Sequence, residues 1–339
     1  MRFNLPVLVY QEKNCVHNHA DEIAQMGKNA LIVTGRNSSK KNGSLDDVIN
    51  ALKSKNIKYT VYDGVEENPS VETVMEAREI GVKAGCDFII GIGGGSPMDA
   101  AKAIGVMIYH KNENKDFLYK SVSNSQSLPV IEVPTTCGTG SEVTTVAVLT
   151  VHNEKTKKSM SHRIFPRMAL VDEKYIKNAP LKVICDTAID ALAHIVESCI
   201  NNNATEYSKM FAKEGLEAWS KFKDVLLGNR EATDEDFHNM MYASTLAGMC
   251  IAHAGTSLPH GLSYPITYEL GIPHGKAVGY FLPGYINEAT DEDKEFVLKA
   301  AGFESVEEFS KFYKKACGYE KSIFPSQARE TSTAATSLA

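Results

Sequence analysis

The 339-residue chain predicts an α/β N-terminal domain followed by an all-α C-terminal domain. Three observations carry that expectation. Up to about Leu170, short runs rich in β-branched residues alternate with amphipathic helical patterns, which argues for a parallel sheet covered on both faces. Beyond Pro180 the strand signal stops and long helical patterns take over. The length, with 43% hydrophobic and 23% charged residues, suits two ordinary globular cores. The boundary falls near residues 178–180, giving domains over 1–178 and 179–325. The closing stretch "PSQARETSTAATSLA" lacks an apolar stripe, so residues 326–339 are expected to be a disordered or non-native tail.

Taken in order, "NALIVT" at 29–34 reads as a buried strand, and Ser44 caps the helical pattern "SLDDVINALKSK". Residues 58–62 form the next strand. Ser70 then caps "VETVMEAREIGVKAG", and "DFIIG" at 87–91 and "LPVIEV" give two further strands. The second domain should hold helices at 181–200, 207–227 and 234–254.

A formal charge of -6 leaves no basic face for nucleic acid, and no apolar run is long enough to span a membrane. Seven cysteines without a CxxC pair fit reduced thiols in a cytoplasm, and the start "MRFNLPVLVYQEKN" lacks the pattern of a secretory signal.

Two glycine- and hydroxyl-rich loops follow strands: "IGGGSPMDAAKAIG" after "DFIIG", and "PTTCGTGSE" after "LPVIEV". In the first, Gly93, Gly94 and Gly95 allow close backbone approach to a phosphate, Ser96 can cap the next helix and Pro97 fits its first turn. Such a turn is equally a tight connection, but two of them at strand ends suggest a dinucleotide-binding domain. A third loop, "GRNSSKKNGS", offers Gly35, Arg36, Ser38, Ser39, Lys40 and Lys41 and no acid. A ribose 2'-phosphate needs room, donors and positive charge, so NADP(H) is expected over NAD(H); a solvated basic turn is the alternative.

In "DALAHIVE", Asp190 and His194 lie four residues apart, on one helix face. Alone, the pair is more often a hydrogen-bonded core histidine. His260 and His274, each preceded by Pro and followed by Gly, sit at backbone bends and would complete a set of three imidazoles and one carboxylate. That set suits divalent iron or zinc. Glu197, on the same helix face as His194, can fix an imidazole tautomer.

Together "GGGSPMDAAKA", "PTTCGTGSE", "TAIDALAHIVE", "HGLSYPI" and "GIPHGKAVG" resemble the iron-containing (group III) alcohol dehydrogenases, and within them the butanol and 1,3-propanediol dehydrogenase branch. The resemblance implies a dehydroquinate synthase-like fold with the active site in the cleft between the domains. It implies that Asp190, His194, His260 and His274 are metal ligands, with Fe2+ expected and Zn2+ the runner-up. It assigns Asn68, Gly94, Gly95, Ser96, Asp99, Thr135, Thr136, Thr139, Val148 and Lys158 to the cofactor, with Lys157 adjacent as the competing lysine. Gly35 stands where NAD-preferring relatives carry an acid. The implied reaction is reversible hydride transfer between a primary alcohol or diol and NADP+, in a homodimer. Two departures stand out. Many relatives have a second His where this chain has Tyr264, a weaker candidate for proton relay at neutral pH. Relatives also continue as helices where this chain carries its Ser/Thr/Ala-rich end. A dehydroquinate synthase-like or glycerol dehydrogenase-like metalloenzyme, or an NADP-binding protein weakened by the shortened C-terminus, are the competing readings.

Overall fold

The computed structural model describes residues 3–318, so the expected tail at 326–339 lies outside the described residues. The chain divides into two compact units. One holds residues 4–136 and 140–178; the other holds Phe3, residues 137–139 and the chain from Ala179 onward.

The α/β unit runs β1 (Leu8–Gln11), α1 (Cys15–Asn18), α2 (Ala20–Ala24), β2 (Asn29–Gly35), α3 (Ser38–Lys41), α4 (Ser44–Ser54), β3 (Lys58–Val65), α5 (Val71–Ala84), β4 (Phe88–Gly93), α6 (Gly95–Tyr109), β5 (Val130–Pro134), β6 (Val148–Val151), β7 (Thr156–Ser159) and β8 (Met168–Val171). Six strands form one parallel sheet in the order β1-β8-β5-β4-β2-β3, and β6 and β7 pair as an antiparallel hairpin. Strand alternation sorts the core onto two faces. Ala30, Ile32, Phe88, Ile90, Ile131 and Val133 pack against Val16, Ile23, Leu45, Val48 and Leu52. Leu31, Val33, Ile89 and Val130 point the other way, onto Val74 and Ala77 of α5 and Ala100, Ile104 and Met107 of α6. Each fully buried Ile or Leu contributes about 1.5–3 kcal/mol, which is why the central strands read as unbroken apolar runs. From β2 the chain passes to β3 on one side and then to β4 on the other, so the strand order reverses at β2/β4. The carboxyl ends there are Gly35 and Gly93, where a parallel sheet offers its ligand crevice.

Of the expected caps here, one moves and one holds. Gly43, at φ 83°, is the cap residue of α4; Ser44 opens the helix, and its N–H donates to Asn42 Oδ1 at 3.0 Å. A left-handed cap residue favours glycine, so the serine shifts inward. Ser70 does cap α5: its Oγ accepts from Thr73 N at 3.1 Å. Ser70→Ala should therefore lower unfolding stability by about 1 kcal/mol, read from the urea midpoint.

The helical unit comprises α7 (Leu181–Ile200), α8 (Glu206–Ser220), α9 (Lys223–Leu226), α10 (Asp234–Ala254), α11 (Leu258–Leu270), α12 (His274–Asn287), α13 (Asp291–Ala300) and α14 (Val306–Cys317). The helix expected over 207–227 is thus two, broken after Ser220. From Ile184 to Cys199 every residue of α7 except Thr187 is buried, because α8, α10 and α12 all pack on it. Trp219 of α8 is fully buried and donates from Nε1 to Ala188 O at 2.7 Å. Thr205 and Thr233 close capping boxes at the starts of α8 and α10. All seven cysteines are buried and free of disulfides. Among the described residues no helix is long and apolar enough to cross a membrane.

Candidate active site

The central helix of the helical unit places Asp190, His194 and Glu197 along one buried face, at 3%, 6% and 0% exposure. The two remaining histidines stand at helix starts. His260 lies in the first turn of α11, after Pro259, and His274 is the first residue of α12, after Pro273. The Pro–His–Gly punctuation in the sequence thus marks two helix N-termini, both turned toward α7.

Asp190 Oδ1 is the hub of the cluster. It lies 3.4 Å from His260 Nε2, 3.8 Å from His274 Nε2 and 3.9 Å from His194 Nε2. Both Asp190 Oδ1 and His260 Nε2 are buried, and neither has a hydrogen-bond partner. Four ligands held tetrahedrally at about 2.1 Å stand about 3.4 Å apart, so these separations match a shared ion better than they match hydrogen bonds. Asp190, His260 and His274 each bring a ligand atom within 4.8 Å of the others, and His194 closes the set from the next turn of α7. An oxygen and three nitrogens fit a divalent transition metal.

The far sides of two rings are fixed by acceptors. His260 Nδ1 donates to Glu197 Oε1 at 2.5 Å, and His194 Nδ1 donates to Gly138 O at 3.2 Å. With the proton on Nδ1, each Nε2 keeps its lone pair for the cluster. Glu197, expected beside His194, therefore serves His260, and also accepts from Ser257 N. Gly138 was not legible as a partner. Its role depends on residues 137–139 belonging to the helical unit, where a Cβ on Gly138 would stand 2.7 Å from Thr187 O. Ser263 was missed as well: it donates to His260 O at 2.7 Å and lies 3.5 Å from His274 Nδ1. Tyr264 is half-buried, its ring stacked on His274 with centroids 5.8 Å apart.

The electrostatics favour positive charge. Burial works against the Asp190 carboxylate, but His194, His260 and His274 outweigh it and hold the carboxyl well below its usual range. Burial likewise disfavours a charged His260, yet Glu197 and Asp190 raise it to about 10, a pull on positive charge that a cation at Nε2 would meet in place of a second proton. Two buried carboxylates around one imidazole make a centre that a divalent cation satisfies.

In the α/β unit, the loop after β4 needs its glycines. Gly93 has φ 151°, and a Cβ there would stand 2.6 Å from Pro97 Cγ; at Gly94 it would stand 3.0 Å from Thr136 Oγ1. Thr136 Oγ1 is buried without a partner beside this loop, an unmet donor that suits a phosphate oxygen. Thr135 is buried and its N donates to Gly93 O, binding the two loops together. Gly94, in place of Ser96, is the cap residue of α6, and Ser96 Oγ accepts from Asn68 N at 3.0 Å. Asn68 holds φ 56°, and its O accepts from Thr150 Oγ1. Asp99 is turned inward: its carboxylate accepts from Ser141 Oγ at 2.6 Å and Val148 N at 2.8 Å, and burial pushes its pKa up. These contacts organise the loop. Lys102, fully buried and unforeseen, does the same through Ser141 O and Val146 O.

One further expectation is corrected. Ser39 is fully buried with Thr34 Oγ1 donating to it at 2.8 Å, so it is closed to a ligand, while Arg36 and Ser38 are exposed beside Gly35. Lys158 extends to Glu154 at 3.5 Å and over the Tyr119 ring at 4.9 Å. Thr139 belongs to the helical unit.

Comparison with known proteins accounts for both units. Residues 6–173 match the family model for iron-containing alcohol dehydrogenase, and residues 184–310 match its C-terminal counterpart. The chain belongs to the iron-containing alcohol dehydrogenase family. Its relatives include the long-chain primary alcohol dehydrogenase AdhA of Thermoanaerobacter ethanolicus, 32% identical over 76% of this chain and 65% of that protein. The NADPH-dependent butanol dehydrogenase of Clostridium saccharobutylicum is 31% identical over 93% of this chain and 78% of its own length. Among solved structures, an iron-containing alcohol dehydrogenase from Thermotoga maritima superposes with a TM-score of 0.91 at 38% identity, covering 100% of this chain and 92% of that one. Iron-containing alcohol dehydrogenases use a metal and a nicotinamide dinucleotide to interconvert alcohols and aldehydes, and this chain is one of those oxidoreductases.

Proposed function

We propose that the chain interconverts an aldehyde and the corresponding primary alcohol or diol, using NADP(H) in preference to NAD(H) and Fe2+ in preference to Zn2+. The observation that carries this reading is the pair of buried, unpartnered atoms Asp190 Oδ1 and His260 Nε2, 3.4 Å apart and flanked by two more imidazoles. Asp190, His194, His260 and His274 hold the ion. Such an ion supplies Lewis acidity, lowering the pKa of an alcohol or polarising an aldehyde carbonyl. The protein's residues provide the rest. Glu197 and Gly138 keep two rings oriented, and the burial of Asp190, His194 and His260 keeps bulk water from the ligand set. Tyr264, stacked on His274, is the hydroxyl assigned to the substrate proton. Gly94, Gly95, Thr135 and Thr136 cradle the pyrophosphate; Gly35, Arg36, Ser38 and Lys40 receive the 2'-phosphate.

A homodimer in the cytoplasm fits the same reading. Strand β1 is an edge of the sheet with Leu8 54% exposed, and all seven thiols are free.

The test is elemental analysis of anaerobically purified protein, followed by NADPH oxidation with butyraldehyde before and after chelation. Turnover should disappear on chelation, return with Fe2+ more fully than with Zn2+, and run faster with NADPH than with NADH. Turnover that survives complete removal of metal would refute the ligand assignment.

A further inference from the structure

The basic loop after β2 contains no acid in sequence, but the fold supplies one. β2 and β3 pair Val33 with Tyr62 and then Gly35 with Val65, so Thr34 stands opposite two residues, Asp63 and Gly64. This bulge lies toward the carboxyl end of β3, the edge strand beside β2. Lys40 of α3 donates to Asp63 Oδ2 at 2.5 Å, with both side chains about half exposed. Lys40 holds the Asp63 carboxyl below its ordinary range, and Arg36 pulls in the same direction. One cation of the loop, Lys40, is therefore already engaged by a carboxylate.

We propose that Asp63 limits the chain's discrimination between the two nicotinamide dinucleotides by competing with the ribose 2'-phosphate for Lys40. The inference rests on reading this loop as the site of the adenosine ribose. A carboxylate inside a phosphate site acts twice: it engages a donor the phosphate needs, and it repels the phosphate's charge. An unphosphorylated ribose experiences neither effect, so the consequence is confined to the cofactor that carries the extra phosphate. Nothing in the sequence around Gly35 shows this, because Asp63 arrives from the neighbouring strand, 28 residues on.

The test uses 2',5'-ADP and 5'-AMP, which differ only in the 2'-phosphate, with calorimetric binding to the wild type and to Asp63→Asn, Lys40→Ala and the double variant. Asp63→Asn should tighten 2',5'-ADP by roughly five- to tenfold and leave 5'-AMP unchanged, the range expected for one charge-assisted contact released near a surface. Lys40→Ala should weaken 2',5'-ADP, and the gain from Asp63→Asn should shrink when Lys40 is absent. An unchanged ratio of the two affinities in Asp63→Asn overturns the proposal, as does an equal shift for both nucleotides. Should the wild type bind both equally while Asp63→Asn still favours 2',5'-ADP, the NADP(H) preference fails and the role of Asp63 stands. Lys40→Ala probes the same pair from its other partner, so the result does not depend on one variant.

Discussion

Replacing His260 with alanine should strip the metal and lower turnover by at least about a thousandfold, while NADPH binding stays within about twofold of wild type. His260 is the ring on which the cluster depends most. Its Nε2 faces Asp190 Oδ1 at 3.4 Å, and its Nδ1 is tied to Glu197. Removing the ring deletes a proposed ligand and leaves the buried Glu197 carboxylate held by Ser257 N. Some stability should be lost as well, about 1–3 kcal/mol for a buried acceptor deprived of its partner. Nucleotide affinity separates the two effects, because the loops proposed to bind NADPH lie in the α/β unit and the proposed metal ligands in the helical unit. Glu197→Gln keeps all four proposed ligands and should weaken metal binding by about 10–100-fold, the range typical of an orienting partner. Wild-type metal content and turnover in the His260 variant would remove that residue from the ligand set.

The parts of this site that follow from local spacing are those that sit on one element, whereas His260 and His274 are reached through their Pro–His–Gly punctuation and the family resemblance. Asp190 and His194 follow from helical spacing, and α7 spans 181–200 as its apolar pattern requires. The capping of α5 by Ser70 is equally local. What escaped the reading arrives from far along the chain. Gly138 reaches His194 across 56 residues, and Lys102 reaches Ser141 across 39. The expectations for Ser44 and Ser96 failed for a related reason. A serine at a helix start looks like a cap, but a neighbouring glycine took the cap position in both cases, and Ser96 was drawn to Asn68 N. Ser39 carries the residue type a phosphate site needs, yet the fold closes it off against Thr34.

The same limit governs the two His–Gly pairs, which look alike in sequence and should respond oppositely to mutation. A Cβ on Gly261 meets nothing within 4 Å, and the residue is exposed in α11. Gly261→Ala should leave metal binding intact and raise stability by up to about 1 kcal/mol, through helix propensity and a less flexible unfolded chain. A Cβ on Gly275 would stand 1.8 Å from Asp186 O, 2.7 Å from its carbonyl carbon and 3.1 Å from Asp190 Cβ. Two of those neighbours are backbone atoms of α7, so no rotamer change can relieve the clash. The helices must move apart by more than about 1 Å, since non-bonded carbon and oxygen do not approach much closer than about 3.2 Å. Asp190 and His274 ride on those two helices, one on each side of the contact. Gly275→Ala should therefore lose about 3 kcal/mol or more of stability, read as a fall in the urea midpoint, and its folded fraction should bind metal at least about tenfold more weakly. A Gly275→Ala protein with wild-type midpoint and metal affinity would mean that α7 and α12 do not meet as closely as Asp186 and Gly275 require.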